Sequence, residues 1–242
     1  MGLNPKLSEY TQQVKLTTYD MDANNTLRPS AMLRYCQEAC ELHLACYGLT
    51  HEKMQGDGII FVFTRAGGVV HRWPRQHDPI TIVTRARGVV GVQFYRSFDF
   101  YCGDEHLAEV LQASVVVSTQ EHKLLRPKVF LDYGVGAGEN SGQKLDRMNL
   151  PKEMPIVGER EVRYSDLDYN GHVNNSVYSD IFCDYVPGGM HGRALREFQI
   201  HYVMESREGE VLQIQREERD GQILMRGVNP RGISFEYQGR VE

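Results

Sequence analysis

Long apolar runs are missing from this chain, and no stretch approaches the ~18 residues that a membrane-spanning helix needs. No membrane span is therefore expected. The opening Met1-Gly2-Leu3-Asn4-Pro5-Lys6 has no apolar signal core, and Lys6 stands where a myristoylation signal needs Ser or Thr. Cysteine is scarce and odd in number, with five residues (Cys36, Cys40, Cys46, Cys102 and Cys183) and no CxxC pair. That excludes a disulfide-built scaffold, and the expected setting is the reducing cytoplasm. No HxxxH run or Cys–His cluster has zinc spacing, so neither a metal nor another cofactor is implied. A large charge excess is also lacking. A net charge of −5 and a pI near 6.0 argue against nucleic acid as a partner.

The composition that is present, 41% hydrophobic and 24% charged, suits a soluble globular protein, and the run of segments that follows, strands punctuated by two helices, reads as α+β. Pro29 to Tyr47 reads as a helix, opened by proline in its first turn and closed by Gly48. It is apolar on more than one face and carries the small residues Ala31, Ala39 and Ala45, the pattern of a helix wrapped by a sheet. Cys36 and Cys40, four apart on it, read as small buried thiols. Strands are predicted over 59–62, 68–73, 80–89, 92–101 and 110–119 from β-branched and aromatic content. A Gly-rich polar stretch follows Tyr133. The pattern then restarts with a short strand over 161–164, a helix over 175–186, and strands over 195–203, 211–217, 222–226 and 233–237. The boundaries that follow are a first unit over 1–133, a linker over 134–157 and a second unit over 158–242.

The restart is a repeat. Asp20-Met21-Asp22-Ala23-Asn24 corresponds to Asp166-Leu167-Asp168-Tyr169-Asn170 at a constant offset of 146 residues, and His172 stands where the first copy has Thr26. The second copy, Ser165-Asp166-Leu167-Asp168-Tyr169-Asn170-Gly171-His172-Val173-Asn174-Asn175, is the densest polar cluster in the chain. Its start mimics a calcium loop, but the twelfth position is Val177 rather than the required glutamate. Helix capping accounts for the Asp and Asn residues of both copies, yet capping needs no imidazole. His172 therefore points to acid–base chemistry in the second copy and to a structural role for the first. Cys183 lies on the second helix beside Ile181, Phe182 and Val186, as a core thiol would.

The long polar motif resembles the most distinctive motif of the acyl-[acyl carrier protein] thioesterases of plants and bacteria. Leu27-Arg28-Pro29-Ser30, Trp73-Pro74 and Lys123-Leu124-Leu125-Arg126-Pro127 are also similar to segments of that family. The resemblance covers most of the chain from about Tyr10 onward. It implies a double hotdog, two tandem units each with a helix wrapped by an antiparallel sheet. It further implies hydrolysis of fatty acyl-carrier thioesters to free fatty acid without a cofactor. Acyl-CoA thioesterase and non-catalytic acyl binding are the alternatives.

The family's catalytic Asp, Asn and His fall on Asp168, Asn170 and His172, and a later Glu falls on Glu205 of Tyr202-Val203-Met204-Glu205. Asp168 and Glu205 are the candidate bases, with Asn170 and N–H groups near Val173 as oxyanion donors. Ser206 stands where plant members often carry cysteine, so a cysteine nucleophile at that point is excluded. The longer helix of the first unit marks it as the acyl tunnel, with Met32, Cys36, Cys40, Phe61 and Phe63 as expected lining. The resemblance makes an acidic acyl carrier protein the expected partner. Residues 1–133 balance acidic and basic side chains, and positive charge clusters there, which makes Arg72, Arg75, Lys123 and Arg126 the expected docking residues. The oligomeric state is open, a homodimer included.

Overall fold

A computed structural model describes residues 9–242 of the protein, so the opening Met1–Lys6 signal reading lies outside the described residues. In chain order the elements are β1 (Glu9–Lys15), α1 (Pro29–Ala45), α2 (His51–Gly56), β2 (Ile59–Val70), β3 (Pro79–Val90), β4 (Gln93–Cys102), β5 (Glu105–Ser118) and α3 (Lys128–Leu131). After an irregular segment come β6 (Ile156–Glu161), α4 (Val177–Asp184), β7 (Leu195–Tyr202), β8 (Val211–Arg219), β9 (Gln222–Asn229) and β10 (Gly232–Val241).

Among the described residues the strands form one sheet in the order β1-β3-β4-β5-β2-β7-β10-β9-β8-β6, with every neighbour antiparallel. Read outward from the β2–β7 seam, the two halves have the same order, so the sheet is two copies of one five-stranded unit joined edge to edge. The seam pairs Arg65 with His201 through Val69 with Glu197. Backbones crowd there. A Cβ on Gly68 would sit 2.5 Å from the Glu109 carbonyl oxygen, so only glycine fits. The long helix of each unit lies on the same face of the sheet, and α1 packs against α4. Met32, Cys36, Phe98, Phe182, Phe235 and Tyr237 are fully buried between helices and sheet. Each such large side chain contributes about 1.5–3 kcal/mol on burial.

Four departures from the sequence expectations, or additions to them, have physical causes. β2 is one strand rather than two, because a bulge between Phe63 and Arg65 lets pairing with β5 continue. β1 is the short strand that the repeat implies ahead of the first polar loop, to which composition gives no bounds. It is a polar edge strand, and its residues alternate between exposed and half-buried on β3. α2 is a single capped turn, with the Thr50 hydroxyl accepting from Lys53 N at 3.3 Å. β6 begins at Ile156, inside the segment read as linker, and ends where the predicted 161–164 strand was to begin.

The linker is fixed along its length, its start packed against the apolar cluster of Leu44, Phe94 and Phe130. The Gly88 N–H donates to Ala137 O at 2.6 Å, Arg65 Nη1 to Leu145 O at 3.0 Å and Gln199 Nε2 to Asp146 O at 2.6 Å.

Candidate active site

The two polar loops fold alike, bond for bond. A short 3-10 turn precedes each, Thr18–Asp20 and Tyr164–Asp166. Asp22 N donates to Thr26 O at 2.8 Å, and Asp168 N donates to His172 O at 3.0 Å. Arg28 N donates to Asp20 O, as Asn174 N does to Asp166 O. The left-handed position is Asn25 (φ 58°) in one loop and Gly171 (φ 79°) in the other, two residue types that accept it. Each loop also pairs with the corner that follows the unit's seam strand, Thr26 opposite Arg75 and His172 opposite Arg207.

Asp166 anchors the second loop. Burial alone would raise its pKa, but a two-pronged contact with the Arg160 guanidinium at 2.6 and 2.8 Å and the Arg163 N–H hold it below its usual value. That leaves Asp168 for other work. Its Oδ1 accepts from Asn170 N at 2.8 Å and lies 3.8 Å from His172 Nδ1, too far for a hydrogen bond and close enough for an ion pair once the imidazole is protonated. Asn170 is exposed, and its side-chain amide donates to Asp168 Oδ2 at 3.4 Å.

Three expected features are placed differently. Val173 N is occupied, donating to Ser206 O at 2.9 Å, so it is not an open oxyanion donor. Ser206 is fully buried, its hydroxyl 2.8 Å from Ser234 Oγ and 3.2 Å from Asn229 Nδ2, in a network that reaches Tyr178 of α4. It is a structural hydroxyl without an activating base. Glu205 is not in the Asp168–His172 pair. Its Oε1 accepts from Arg207 Nε at 3.0 Å and lies 3.8 Å from Arg231 Nη1, and it approaches the loop through the backbone pairing of His172 with Arg207. Cys183 is a core thiol, raised to about 12 by burial and by the charges of Asp180 and Asp184.

The loop ends at a cavity. An enclosed space of about 160 Å³ lies in the first unit, lined by Leu44, Leu49, Met54, Ile59, Phe94 and Phe130 among others, and by the expected Cys40, Phe61 and Phe63. The volume is near the ~150 Å³ of an apolar cavity that accepts benzene. Met32 and Cys36 do not line it. Both are wholly buried in the central core, one helical face away. The mouth is composite. Gln37 and Glu41 of α1 and His51 of α2 come from the first unit, whereas Tyr169 and Asn170 come from the second unit's loop. Tyr169 stands edge-on to His51 with ring centroids 5.1 Å apart.

The first loop borders a different space, a surface cleft shared with Asp180, Cys183 and Asp184 of α4. Asn24, the counterpart of Asn170, spends its amide on the turn after α4, donating to Met190 O at 2.7 Å and Arg193 O at 3.0 Å and accepting from Gly192 N at 2.8 Å. Thr26 Oγ1 lies 3.1 Å from both Asp22 carboxylate oxygens. Of two equivalent loops, one is tied to the turn after α4 beside a polar cleft and the other meets the apolar cavity.

The residues expected at a docking surface separate into two places. Arg72 and Arg75 sit at the β2–β3 corner beside the first loop. Arg72 is neutralised there by Glu105 and Asp78, at 2.8 Å each. Lys123 and Arg126 follow β5, and Lys123 is paired with Glu121 at 3.1 Å. The cations beside the second loop, Arg207 and Arg231, were missed. The repeat could have found Arg207, the counterpart of Arg75.

This architecture is a double hotdog. It superposes on an acyl-ACP thioesterase from Bacteroides thetaiotaomicron with a TM-score of 0.80 at 17% identity, covering 98% of this chain and 99% of that one. The 12:0-ACP thioesterase from Umbellularia californica gives 0.79 at 18% identity, covering 100% and 99%. Residues 8–128 match the acyl-ACP thioesterase N-terminal domain and residues 151–238 the C-terminal domain, so the chain belongs to the acyl-ACP thioesterase family. Among curated relatives, a chloroplastic dodecanoyl-[acyl-carrier-protein] hydrolase of Cinnamomum camphora is 26% identical over 219 residues, 82% of this chain and 56% of that protein. A chloroplastic palmitoyl-acyl carrier protein thioesterase of Gossypium hirsutum is 25% identical over 190 residues, 70% of this chain and 45% of that protein. The chain spans about half the length of these relatives.

Proposed function

We propose that the protein hydrolyses fatty acyl thioesters of acyl carrier protein, with the acyl chain in the first unit's cavity and the thioester at the second unit's loop. The observation that carries this reading is the composite mouth, where Asn170 and Tyr169 of the polar loop border an apolar cavity. An alkyl chain gains by leaving water there, and that places its carbonyl among the polar groups. Asp168 takes a proton from a water whose oxygen bonds to the carbonyl carbon. The Asn170 amide donates to the developing oxyanion. As the C–S bond breaks, His172 gives its proton to the thiolate and takes back the one held by Asp168, giving free acid and thiol and restoring both groups. Acid–base groups of this kind each supply about 10²–10⁴-fold. Glu205, held by two arginines, keeps a second carboxylate beside the loop.

Family membership and the names of the relatives support a carrier-bound substrate. On the docking surface, Arg75 and Arg126 retain the role expected of the four cations, since salt bridges occupy Arg72 and Lys123. The test is release of free thiol by the purified protein from matched acyl-carrier and acyl-CoA thioesters. Faster turnover of the carrier substrate is expected. Equal or better turnover of acyl-CoA would select the CoA-thioesterase alternative, and acyl binding without thiol release would leave a binding protein.

A further inference from the structure

The cavity is not uniformly apolar. Arg96 of β4 stands directly opposite Gln112 of β5 in the antiparallel register, so both side chains leave the same face of the sheet, and both line the cavity. Phe94, two residues from Arg96 on β4, also lines it, which fixes that face as the inner one. Gln112 is only 6% exposed, and its Oε1 is buried with no hydrogen-bond partner among the described residues. An acceptor left so carries a desolvation penalty, so native structures rarely keep one without a use.

Arg96 is its complement. Nη1 lies 2.9 Å from His43 Nδ1 and 3.2 Å from Thr84 Oγ1, and no carboxylate lies within 4.0 Å of the guanidinium among the described residues. A guanidinium has five N–H donors, so some remain to face the cavity. The nearby polar side chains are otherwise engaged or peripheral. Tyr95 OH donates to Gln93 Oε1 at 2.9 Å, and Glu41 is exposed at the mouth. The Arg96–Gln112 pair faces Cys40, one turn along α1 from Gln37 at the mouth. The Phe61–Phe94–Phe130 aromatic cluster forms a separate, apolar part of the lining.

An acceptor beside a donor asks for a group that is both. A hydroxyl donates to Gln112 Oε1 and accepts from Arg96. An oxo group satisfies Arg96 alone, and a methylene satisfies neither. We infer that the cavity selects acyl chains bearing a hydroxyl group on the mouth-proximal part of the chain, held between Arg96 and Gln112. The inference rests on the proposed use of the cavity for an acyl chain, and it adds the chemical class of that chain.

The experiment compares acyl thioesters of one length, unsubstituted or carrying a hydroxyl or oxo group at successive carbons, on the wild type and on Gln112→Leu. The wild type is expected to favour one or two adjacent hydroxyl positions by at least about tenfold in kcat/KM, with the oxo compound intermediate. Gln112→Leu should lose that preference and improve on the unsubstituted chain. The same ranking is read from wild-type binding of the corresponding free fatty acids by calorimetry, which needs neither turnover nor a folded variant. Hydrolysis of plain chains with no gain at any hydroxyl position overturns the inference, leaves the thioesterase reading intact and assigns the pair to a bound water. Hydroxyl-selective binding without thiol release keeps the inference and removes the hydrolase reading.

Discussion

Replacing His172 with threonine would copy the first loop into the second, and the first repeat shows what the backbone would do. There Thr26 keeps the same turn, with Asp22 N on its carbonyl at 2.8 Å and its hydroxyl 3.1 Å from both carboxylate oxygens. The His172 side chain is 30% exposed, and its one ionic neighbour, Asp168 Oδ1, is 3.8 Å away. His172→Thr therefore removes little packing and supplies a hydroxyl that Asp168 can accept from. The expected change in folding free energy is within about 0.5 kcal/mol, or roughly 1–2 °C in Tm for a chain of this size. Turnover should fall at least about 10²-fold, equivalent to about 2.7 kcal/mol of barrier, because a threonine hydroxyl cannot exchange a proton near neutral pH. Thiol release at saturating acyl-carrier thioester and a thermal melt on the same preparation decide it. Turnover within a few-fold of wild type would refute the role of His172. A Tm drop of many degrees would refute the claim that the two loops are interchangeable as structure.

Asn24→Ala should cost about 1–3 kcal/mol in urea unfolding, because three hydrogen bonds to the turn after α4 vanish, while thiol release by the folded protein stays unchanged. Asp166 has a folded pKa below its unfolded value, so its ion pair contributes stability above pH ~3.9 that is lost as pH falls through the folded value. Asp166→Asn should therefore be less stable at pH 7 and lose less between pH 5 and 3, a comparison read from urea midpoints across that range. Phe130→Leu loosens the aromatic end of the cavity, where Phe130 lies 4.7 Å from the Phe61 ring, and should shift the released fatty acids toward longer chains. Met32→Trp enlarges a side chain in the central core and should cost about 1–3 kcal/mol with an unchanged product profile.

The repeat was readable because its polar residues do local work. Asp22 and Asp168, like Asp20 and Asp166, satisfy backbone N–H groups of their own loop, and such bonds fix sequence at a constant spacing. The difference between the copies was readable as well, because Thr26 and His172 differ in chemistry and not only in size. The cavity lining was less legible. Leu44 and Met54 beside an opening have the same apolar character as Leu33 and Met32 in solid core, and periodicity cannot tell a wall from a filling. The bounds of β1 were hidden, although the repeat implies a strand there, because an edge strand needs apolar residues on one face only, and Tyr10 and Val14 are few. The orphaned Gln112 reads from sequence as one polar residue in an alternating strand. Its burial depends on α1 lying over that face, which is a tertiary fact.

The composite mouth has a consequence for stoichiometry and for change. A cavity in one half that is capped by a loop of the other makes each half half a site, so neither is expected to bind an acyl chain alone. Two identical chains meeting about the β2–β7 seam would present two mouths, and any lengthening of one helix would be matched in its twin. Joining the halves in a single chain breaks that obligation. α1 runs to Ala45 with α2 beside it while α4 stops at Asp184, and Asn24 is tied to the turn after α4 beside a polar cleft while Asn170 borders the apolar cavity. The chain should bind one acyl group where its two-fold pattern offers two positions, and the vacant half is free to carry the packing that holds the working half in place.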